Sequence, residues 1–84
     1  MQAFIDVYPK LPTKRLRVMC EIQRGGIKGR TNEEISRNLG LSINSVTPRV
    51  NELVKLRLVA DSGIHRKNKS GVKAIVWIST EHVS

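Results

Sequence analysis

The chain has 84 residues, a net charge of +8 and 39% hydrophobic residues, which predicts one small folded domain with a modest core. No apolar run is long enough to span a membrane and no signal-peptide pattern opens the sequence, so we expect a cytoplasmic protein without a membrane partner. The single cysteine, Cys20, permits no internal disulfide, and its apolar neighbours favour a small core residue over a nucleophile.

The basic residues are unevenly distributed along the chain. Residues 13–30 hold six basic residues and one acidic residue, and residues 63–84 hold four basic residues and one acidic residue. Residues 1–12 and 31–62 each have no net charge. Two basic blocks therefore flank a neutral segment, a distribution that suits a nucleic acid backbone as partner. Alternatively, the basic residues serve only the solubility of a small domain, and this would explain any single lysine equally well.

The first twelve residues predict an extended arm. Pro9 and Pro12 forbid a continuous helix, while the apolar side chains between Phe4 and Tyr8 favour packing on the core. Contact with a second subunit is the alternative for this arm. We therefore divide the chain into an arm over residues 1–12, a domain over residues 13–80 and a frayed tail over residues 81–84.

Residues 13–24 predict the first helix. Thr13 is its candidate N-cap, apolar residues recur at helical spacing, and two glycines end the pattern. The short segment 25–30 is expected to be extended at most, with Ile27 placed to pair with a later strand. The apolar stripe of the helix consists of Leu16, Met19, Cys20 and Ile22.

Residues 31–59 predict two helices joined by a tight turn, around which the rest of the chain is organised. Thr31 and Glu34 have the spacing of a capping box, in which each side chain satisfies the backbone N–H of the other residue. Gly40 can adopt the left-handed conformation that ends a helix, and Ser42 is a natural N-cap for the next one. The expected helices cover residues 32–39 and 43–56.

The second helix of this pair has one buried and one outward face. Val46, Val50 and Leu53 form its buried stripe, with Leu56 one turn further on. Short amides and hydroxyls occupy the other side, and such groups can hydrogen-bond base edges in a DNA major groove. An ordinary helical hairpin with a solvated face fits the same pattern. Because Pro48 would cost about 3 kcal/mol in a helix interior, we expect an irregular or kinked start to this helix.

Residues 58–79 predict a basic hairpin, or wing. The expected strands cover residues 58–64 and 73–79, with a bulge or bend at Gly63. Trp77, on the second strand, is expected to pack against the core or the sheet. The complete chain is then mainly α with a small β-hairpin, an α+β fold of three helices and a two- or three-stranded antiparallel wing. The loop over residues 66–73 carries the cations Arg66, Lys67, Lys69 and Lys73.

A local motif accompanies this order of elements: Leu39-Gly40-Leu41-Ser42, then Val46, Val50 and Leu53, then Leu58-Val59. Motif and order together resemble the winged helix-turn-helix domain of the multiple-antibiotic-resistance regulator family and similar bacterial and phage repressors. The resemblance implies that the helix starting near Ser42 enters the DNA major groove, while the wing tip touches the backbone or the minor groove. Two positions depart from the pattern, since Arg57 replaces the usual glycine and Pro48 stands where many relatives carry an arginine.

The resulting hypothesis is a sequence-specific double-stranded DNA-binding protein, a small bacterial or phage transcriptional regulator that is nucleoid-associated when bound. Such a regulator would bind as a homodimer or as paired monomers on a repeated site. The expected base contacts are Asn44, Ser45, Thr47, Pro48 and Asn51. The expected DNA backbone contacts are Lys28, Arg30, Thr31, Arg49, Lys55, Arg66, Lys67, Lys69 and Lys73.

Other functions compete with this hypothesis. An enzyme is not expected, because His65 and His82 are the only histidines and neither has metal-ligand spacing to another ligand. For the same reason the sequence predicts no catalytic residues, no metal and no cofactor. A winged-helix docking module, or a phage-type inhibitor of a host protein, would turn the same fold towards an acidic protein partner. Structured RNA would use the same charges as DNA.

Overall fold

The computed structural model of the protein describes residues 11–82. Three helices come first, followed by an antiparallel two-stranded sheet, which confirms the predicted α+β class and the order of elements of a winged helix. No helix in the described range is long and apolar enough to cross a lipid bilayer. The elements are α1 (Thr13–Gly25), a 3₁₀ turn (Gly26–Lys28), α2 (Asn32–Leu39), α3 (Ile43–Lys55), β1 (Val59–Lys67), β2 (Lys73–Ser79) and a second 3₁₀ turn (Thr80–His82).

The core lies where α1 meets α2, α3 and the sheet. Each helix contributes the apolar residues that its spacing places on one face, and the buried stripe predicted for α3 is confirmed at three of its four positions. The fourth, Leu56, was predicted wrongly: it is 50% exposed, because α3 ends at Lys55 and the chain turns away there. The buried apolar residues are Val18, Met19, Ile22, Ile35, Val46, Val50, Leu53, Val59, Val76 and Ile78.

The helix that begins after Thr31 is capped as predicted. The Thr31 hydroxyl accepts the Glu34 N–H at 3.2 Å, and the Glu34 carboxylate accepts the Thr31 N–H at 3.0 Å, so the capping box is complete. Gly40 ends α2 in the left-handed conformation with φ of 66°. By contrast, Thr13 is not an N-cap. Pro12 occupies that position in α1, and its carbonyl accepts the Leu16 N–H at 2.8 Å.

The start of α3 differs from the prediction. The helix runs unbroken from Ile43 to Lys55 with Pro48 inside it, so the expected irregular or kinked start is wrong. Ser42 explains the difference, because its hydroxyl accepts the Ser45 N–H at 3.3 Å and fixes the helix start at Ile43. Proline leaves the Asn44 carbonyl without its intrahelical donor. Asn44 and Pro48 are both exposed residues of the helix.

Arg57 occupies the corner between α3 and β1, and its φ of 63° is the left-handed conformation that favours glycine. The Leu58 N–H donates to the Leu53 carbonyl and the Arg57 N–H to the Val54 carbonyl, each at 3.0 Å. This pair of hydrogen bonds is the Schellman pattern that closes a helix and re-aims the chain. The helix is therefore closed with a non-glycine residue in the left-handed conformation, at the position where the sequence pattern led us to expect glycine.

The two strands form a hairpin with a bulge. Val59 pairs with Ser79 at one end and Lys67 with Lys73 at the other, and the register shifts between Asp61 and His65, which confirms the irregularity expected near Gly63. The first strand reaches Lys67 instead of ending at residue 64, so Arg66 and Lys67 belong to a strand and the loop shrinks to residues 68–72.

A short connection also ties the segment before α2 to the sheet. Arg30 and Trp77 form an antiparallel bridge, with N–H to carbonyl distances of 2.9 Å and 2.8 Å. Ile27, the residue predicted to pair, lies in a 3₁₀ turn and is 75% exposed. Gly29 makes the close approach possible, because a Cβ at that position would lie 2.5 Å from the Trp77 carbonyl oxygen.

The described residues, 11–82, cover only part of the predicted arm and tail. The arm up to residue 10, with its expected packing or subunit contact, lies outside the described residues, as do residues 83–84 of the expected tail. Leu11 is half-buried and packs against the core beside α1. At the other end, the Thr80 N–H donates to the Leu58 carbonyl at 3.0 Å, which joins the end of β2 to the start of β1.

Candidate nucleic-acid interface

The outward side of α3 carries a stripe of exposed residues opposite its buried valines. Asn44, Pro48, Asn51 and Lys55 recur every three or four residues, so they share one side of the helix. We call these four residues the α3 face. Two of them carry amides that can both donate and accept hydrogen bonds, and only Lys55 is charged. The α3 face can therefore distinguish hydrogen-bonding partners in a groove without attracting them strongly by charge.

Three other residues predicted to contact DNA from α3 are half-buried and already hydrogen-bonded within the protein. The Ser45 hydroxyl accepts a hydrogen bond from the Ser42 hydroxyl at 3.3 Å, and the Thr47 hydroxyl accepts one from the Asn32 amide at 3.3 Å. Arg49 holds Glu52 through two hydrogen bonds of 2.7 Å and 3.1 Å. These contacts fix the three side chains at the edges of the α3 face.

The tip of the wing is its most exposed and most basic part. Lys67, Lys69 and Lys73 are all exposed, and they lie at the end of β1, in the loop and at the start of β2 respectively. We call this set the wing tip. The backbone N–H of Lys69 donates to the Glu33 carboxylate at 3.4 Å, which connects the loop to the first turn of α2. The Lys69 side chain is exposed to solvent.

Arg66 has a different environment from the wing-tip lysines. Its guanidinium donates to both carboxylate oxygens of Glu34, at 2.7 Å and 2.9 Å, and to the carbonyls of Lys28 and Gly29, each at 3.1 Å. Burial opposes ionisation of Glu34, yet the hydrogen bonds from Arg66 and from the Thr31 N–H lower the pKa of its carboxyl. Arg66 thus links β1 to the start of α2 and fixes the wing against the helices.

Most arginines of the described range are ion-paired, with Arg17 and Arg57 as the exceptions, whereas its lysines are not. Among residues 11–82, six ion pairs form, and an arginine supplies the cation in each. None of the lysines in that range has a carboxylate of residues 11–82 within ion-pair distance, and all six are exposed. The pairs are Arg15–Glu52, Arg24–Glu21, Arg30–Glu21, Arg37–Glu33, Arg49–Glu52 and Arg66–Glu34.

One cleft separates the start of α3 from the wing. It has a volume of about 560 Å³, and Ile43 of α3 and Asn32 of α2 line it on the helical side. Lys73, Ile75 and Trp77 of β2 line it on the side of the wing. The fold therefore brings the first residue of α3 and a wing-tip lysine to the same cleft, although 30 positions separate them in the sequence.

The predicted backbone contacts before α2 are less uniform. Lys28 is exposed, whereas the Arg30 guanidinium donates to Glu21 at 2.8 Å and the Thr31 side chain is buried as a helix cap. Lys28 and Arg30 border a second, smaller cleft of about 360 Å³, which Arg37 and Asn38 also line. Neither of those two was predicted, although their spacing from Glu34 on α2 places them on one helix face.

Residues 11–82 hold one cysteine, Cys20, and two histidines, His65 and His82. This range contains no group of three histidine, cysteine or carboxylate side chains that could hold a metal ion. Burial raises the pKa of the Cys20 thiol, although the positive charge of Arg24 acts in the opposite direction. The raised pKa favours the protonated and less nucleophilic form of the thiol. His65 is an exposed residue of β1.

No protein-family model matches this chain, and no curated protein is similar to it at a significant level.

Proposed function

We propose that the protein binds double-stranded DNA sequence-specifically, as a small transcriptional regulator of the bacterial or phage type. In this proposal α3 enters the major groove with the α3 face towards the bases. The wing tip then lies on the phosphate backbone or in the adjacent minor groove. The observation that carries the proposal is an exposed, amide-bearing helix face together with exposed lysines that form no ion pair within residues 11–82.

The charge distribution supports a polyanion as the partner. Arginines pair with Glu21, Glu33, Glu34 and Glu52, so the carboxylates of the three helices are already paired. The exposed lysines keep their full charge and can displace counterions from phosphates. Lys28, Lys55 and the wing tip are the proposed backbone contacts of this kind. Arg66 and Thr31 act in this proposal by holding the wing and α2 in place.

A regulator of this size is proposed to bind as a homodimer or as paired monomers. Half-sites would then lie about one helical turn apart, ~34 Å, on a repeated sequence. Sedimentation of the protein at binding concentrations, with and without DNA, measures this directly. A single monomer that saturates a short unrepeated site would contradict paired binding and leave the DNA-binding proposal intact.

The experiment that tests the function is a selection from a random-sequence duplex pool, followed by titration of the enriched duplex. We expect one sequence to be enriched, and its affinity to fall steeply between about 50 mM and 200 mM salt. A double-stranded RNA of the same sequence serves as competitor. Equal competition by RNA would favour an RNA-binding function, and absence of duplex binding at low salt would reject the proposal.

A protein-docking module is the second candidate, and exposed apolar side chains favour it. Ile27 and Ile64 are 75% and 61% exposed, and both lie outside the α3 face and the wing tip. Exposed aliphatic side chains of this kind can contribute to a protein interface. Co-precipitation that survives Lys67→Ala and Lys69→Ala, but is lost on Ile64→Ser, would favour this candidate over DNA binding.

A further inference from the structure

Ile43 is the only valine, leucine or isoleucine of α3 that is neither buried nor half-buried. It is the first residue of the helix and 45% exposed, whereas Val46, Val50 and Leu53 are fully buried. Helix formation does not require isoleucine here, because a β-branched residue has a modest helix propensity and the cap is supplied by Ser42. Core packing does not account for it either.

The surroundings of Ile43 are suited to a small apolar group bordered by polar ones. Ile43 lines the cleft of about 560 Å³ between α3 and the wing. Ile75 of β2 lines the same cleft from the side of the wing and is 37% exposed. Asn32, Asn68 and Lys73 line the same cleft and supply amides and a charge. A partner in this cleft would therefore meet an isolated aliphatic surface within a hydrogen-bonding environment.

We propose that Ile43 reads a thymine through its 5-methyl group, an inference that rests on the proposed DNA binding and sharpens it. The N-terminal residues of a helix in the major groove contact the base edges, and Ile43 is the first of them. In that groove the C5-methyl group is the apolar feature that marks thymine. Asn44, next in sequence and exposed, can hydrogen-bond the neighbouring base.

The test uses the enriched duplex with each thymine replaced in turn by deoxyuridine, which removes the methyl group and keeps every hydrogen-bonding group. Burial of one methyl group is worth about a fourfold change in affinity. We expect a loss of this size at one position per half-site. In the Ile43→Ala variant, the same replacement should have no effect at that position. With the natural protein, a duplex that has cytosine at that position should bind more weakly. Replacing that cytosine by 5-methylcytosine should recover part of the lost affinity.

The matched control is Ile27→Ala, which removes the same side chain from an exposed position in a 3₁₀ turn outside the α3 face. It should leave the deoxyuridine penalty unchanged. Circular dichroism and an unchanged salt slope would show that Ile43→Ala folds and keeps its phosphate contacts. A penalty that persists in Ile43→Ala, or no penalty at any thymine, overturns the thymine assignment alone. Absence of DNA binding overturns both this inference and the proposed function.

Discussion

The α3 face and the wing tip differ in charge and in the kind of element that carries them. The α3 face carries one lysine among amides held on a capped helix, whereas the wing tip carries three lysines around a loop of five residues. Rigid amides can discriminate between bases, while mobile ammonium groups attract any phosphate. Under the proposed DNA binding, this difference assigns affinity to the wing tip and specificity to the α3 face, and we expect that each can be changed without the other.

The largest effect should come from the wing tip. Changing Lys67 and Lys69 to alanine together removes two proposed phosphate contacts, which should lower affinity for every duplex roughly a hundredfold at ~50 mM salt. The slope of log affinity against log salt should fall by about two units, while the ratio between the enriched and a scrambled duplex stays constant. Anisotropy titrations over a salt series measure both quantities.

Lys14→Ala is the matched control for the single lysine variants. Lys14 is an exposed lysine near the start of α1, without an ion-pair partner in the described range and outside both elements. Its removal changes the net charge by the same amount and should alter affinity far less. Equal losses for Lys14→Ala and Lys67→Ala would mean that net charge alone attracts DNA, and the wing tip would lose its special role.

The next effect should appear at the α3 face. Asn51→Ala removes an exposed amide that can make a bidentate contact to adenine, and a good contact of this kind discriminates by about 1–3 kcal/mol. We expect the preference for the enriched duplex to fall by that amount, with nonspecific affinity and salt slope unchanged. Competition titrations with enriched and scrambled duplexes give the ratio. A uniform loss of affinity across sequences would instead assign Asn51 to the backbone.

A third change tests how the wing is held to the helices. Glu34→Gln preserves the capping box, since glutamine can accept the Thr31 N–H, but removes the charge that Arg66 contacts. At pH 7 this should reduce the free energy of unfolding by about 1–2 kcal/mol, a value kept low because the ion pair is partly exposed. The adjacent variant Glu33→Gln should cost less, because its ion pair with Arg37 is longer, at 3.8 Å.

The pH dependence of this contact has a defined sign. The folded protein holds the pKa of Glu34 below its ordinary value of 4.5, so its stabilisation is complete above that pH and is lost as the pH falls through the folded pKa. The difference in stability between the natural chain and Glu34→Gln should therefore shrink from pH 7 to about pH 3. Urea titrations at several pH values measure it, and a constant difference would show that charge is not its source.

Local sequence signals located most of the fold. The capping box of Thr31 and Glu34, the turn at Gly40 and the periodic apolar residues of α3 predicted helix bounds that match the structure closely. Each signal acts over a few residues, so the sequence displays it directly. The start of α3 was mispredicted because the sequence shows the local energetic cost of Pro48 in a helix directly. The helix nevertheless includes Pro48, at an exposed position after a capped start.

Contacts between distant residues could not be predicted in this way. Arg66 was expected to lie in the loop and contact DNA; the structure places it in β1, where it binds Glu34, a residue 32 positions earlier. The Arg30–Trp77 bridge likewise depends on Gly29 reaching β2, which no local pattern encodes. Only the spacing of Glu34, Arg37 and Asn38 could have indicated part of the second cleft. The partition of arginines and lysines also became visible only with the fold.

The smallest effect concerns Arg57, which joins the two compared elements at the corner between α3 and β1. A side chain at its φ of 63° costs about 1–2 kcal/mol, whereas glycine adopts that conformation freely but loses more chain entropy on folding, about 0.5–1 kcal/mol. Arg57→Gly should therefore stabilise the protein by roughly 0.5–1 kcal/mol in urea titrations. Arg57→Ala removes the same charge and keeps the Cβ atom, so it should give no gain. If both variants stabilise equally, charge repulsion is the cause and not the backbone.

Because Arg57 lies outside the α3 face and the wing tip, glycine there should leave sequence preference and salt slope unchanged. A changed preference would mean that this corner sets the angle between α3 and the wing, and that the two elements are coupled through it.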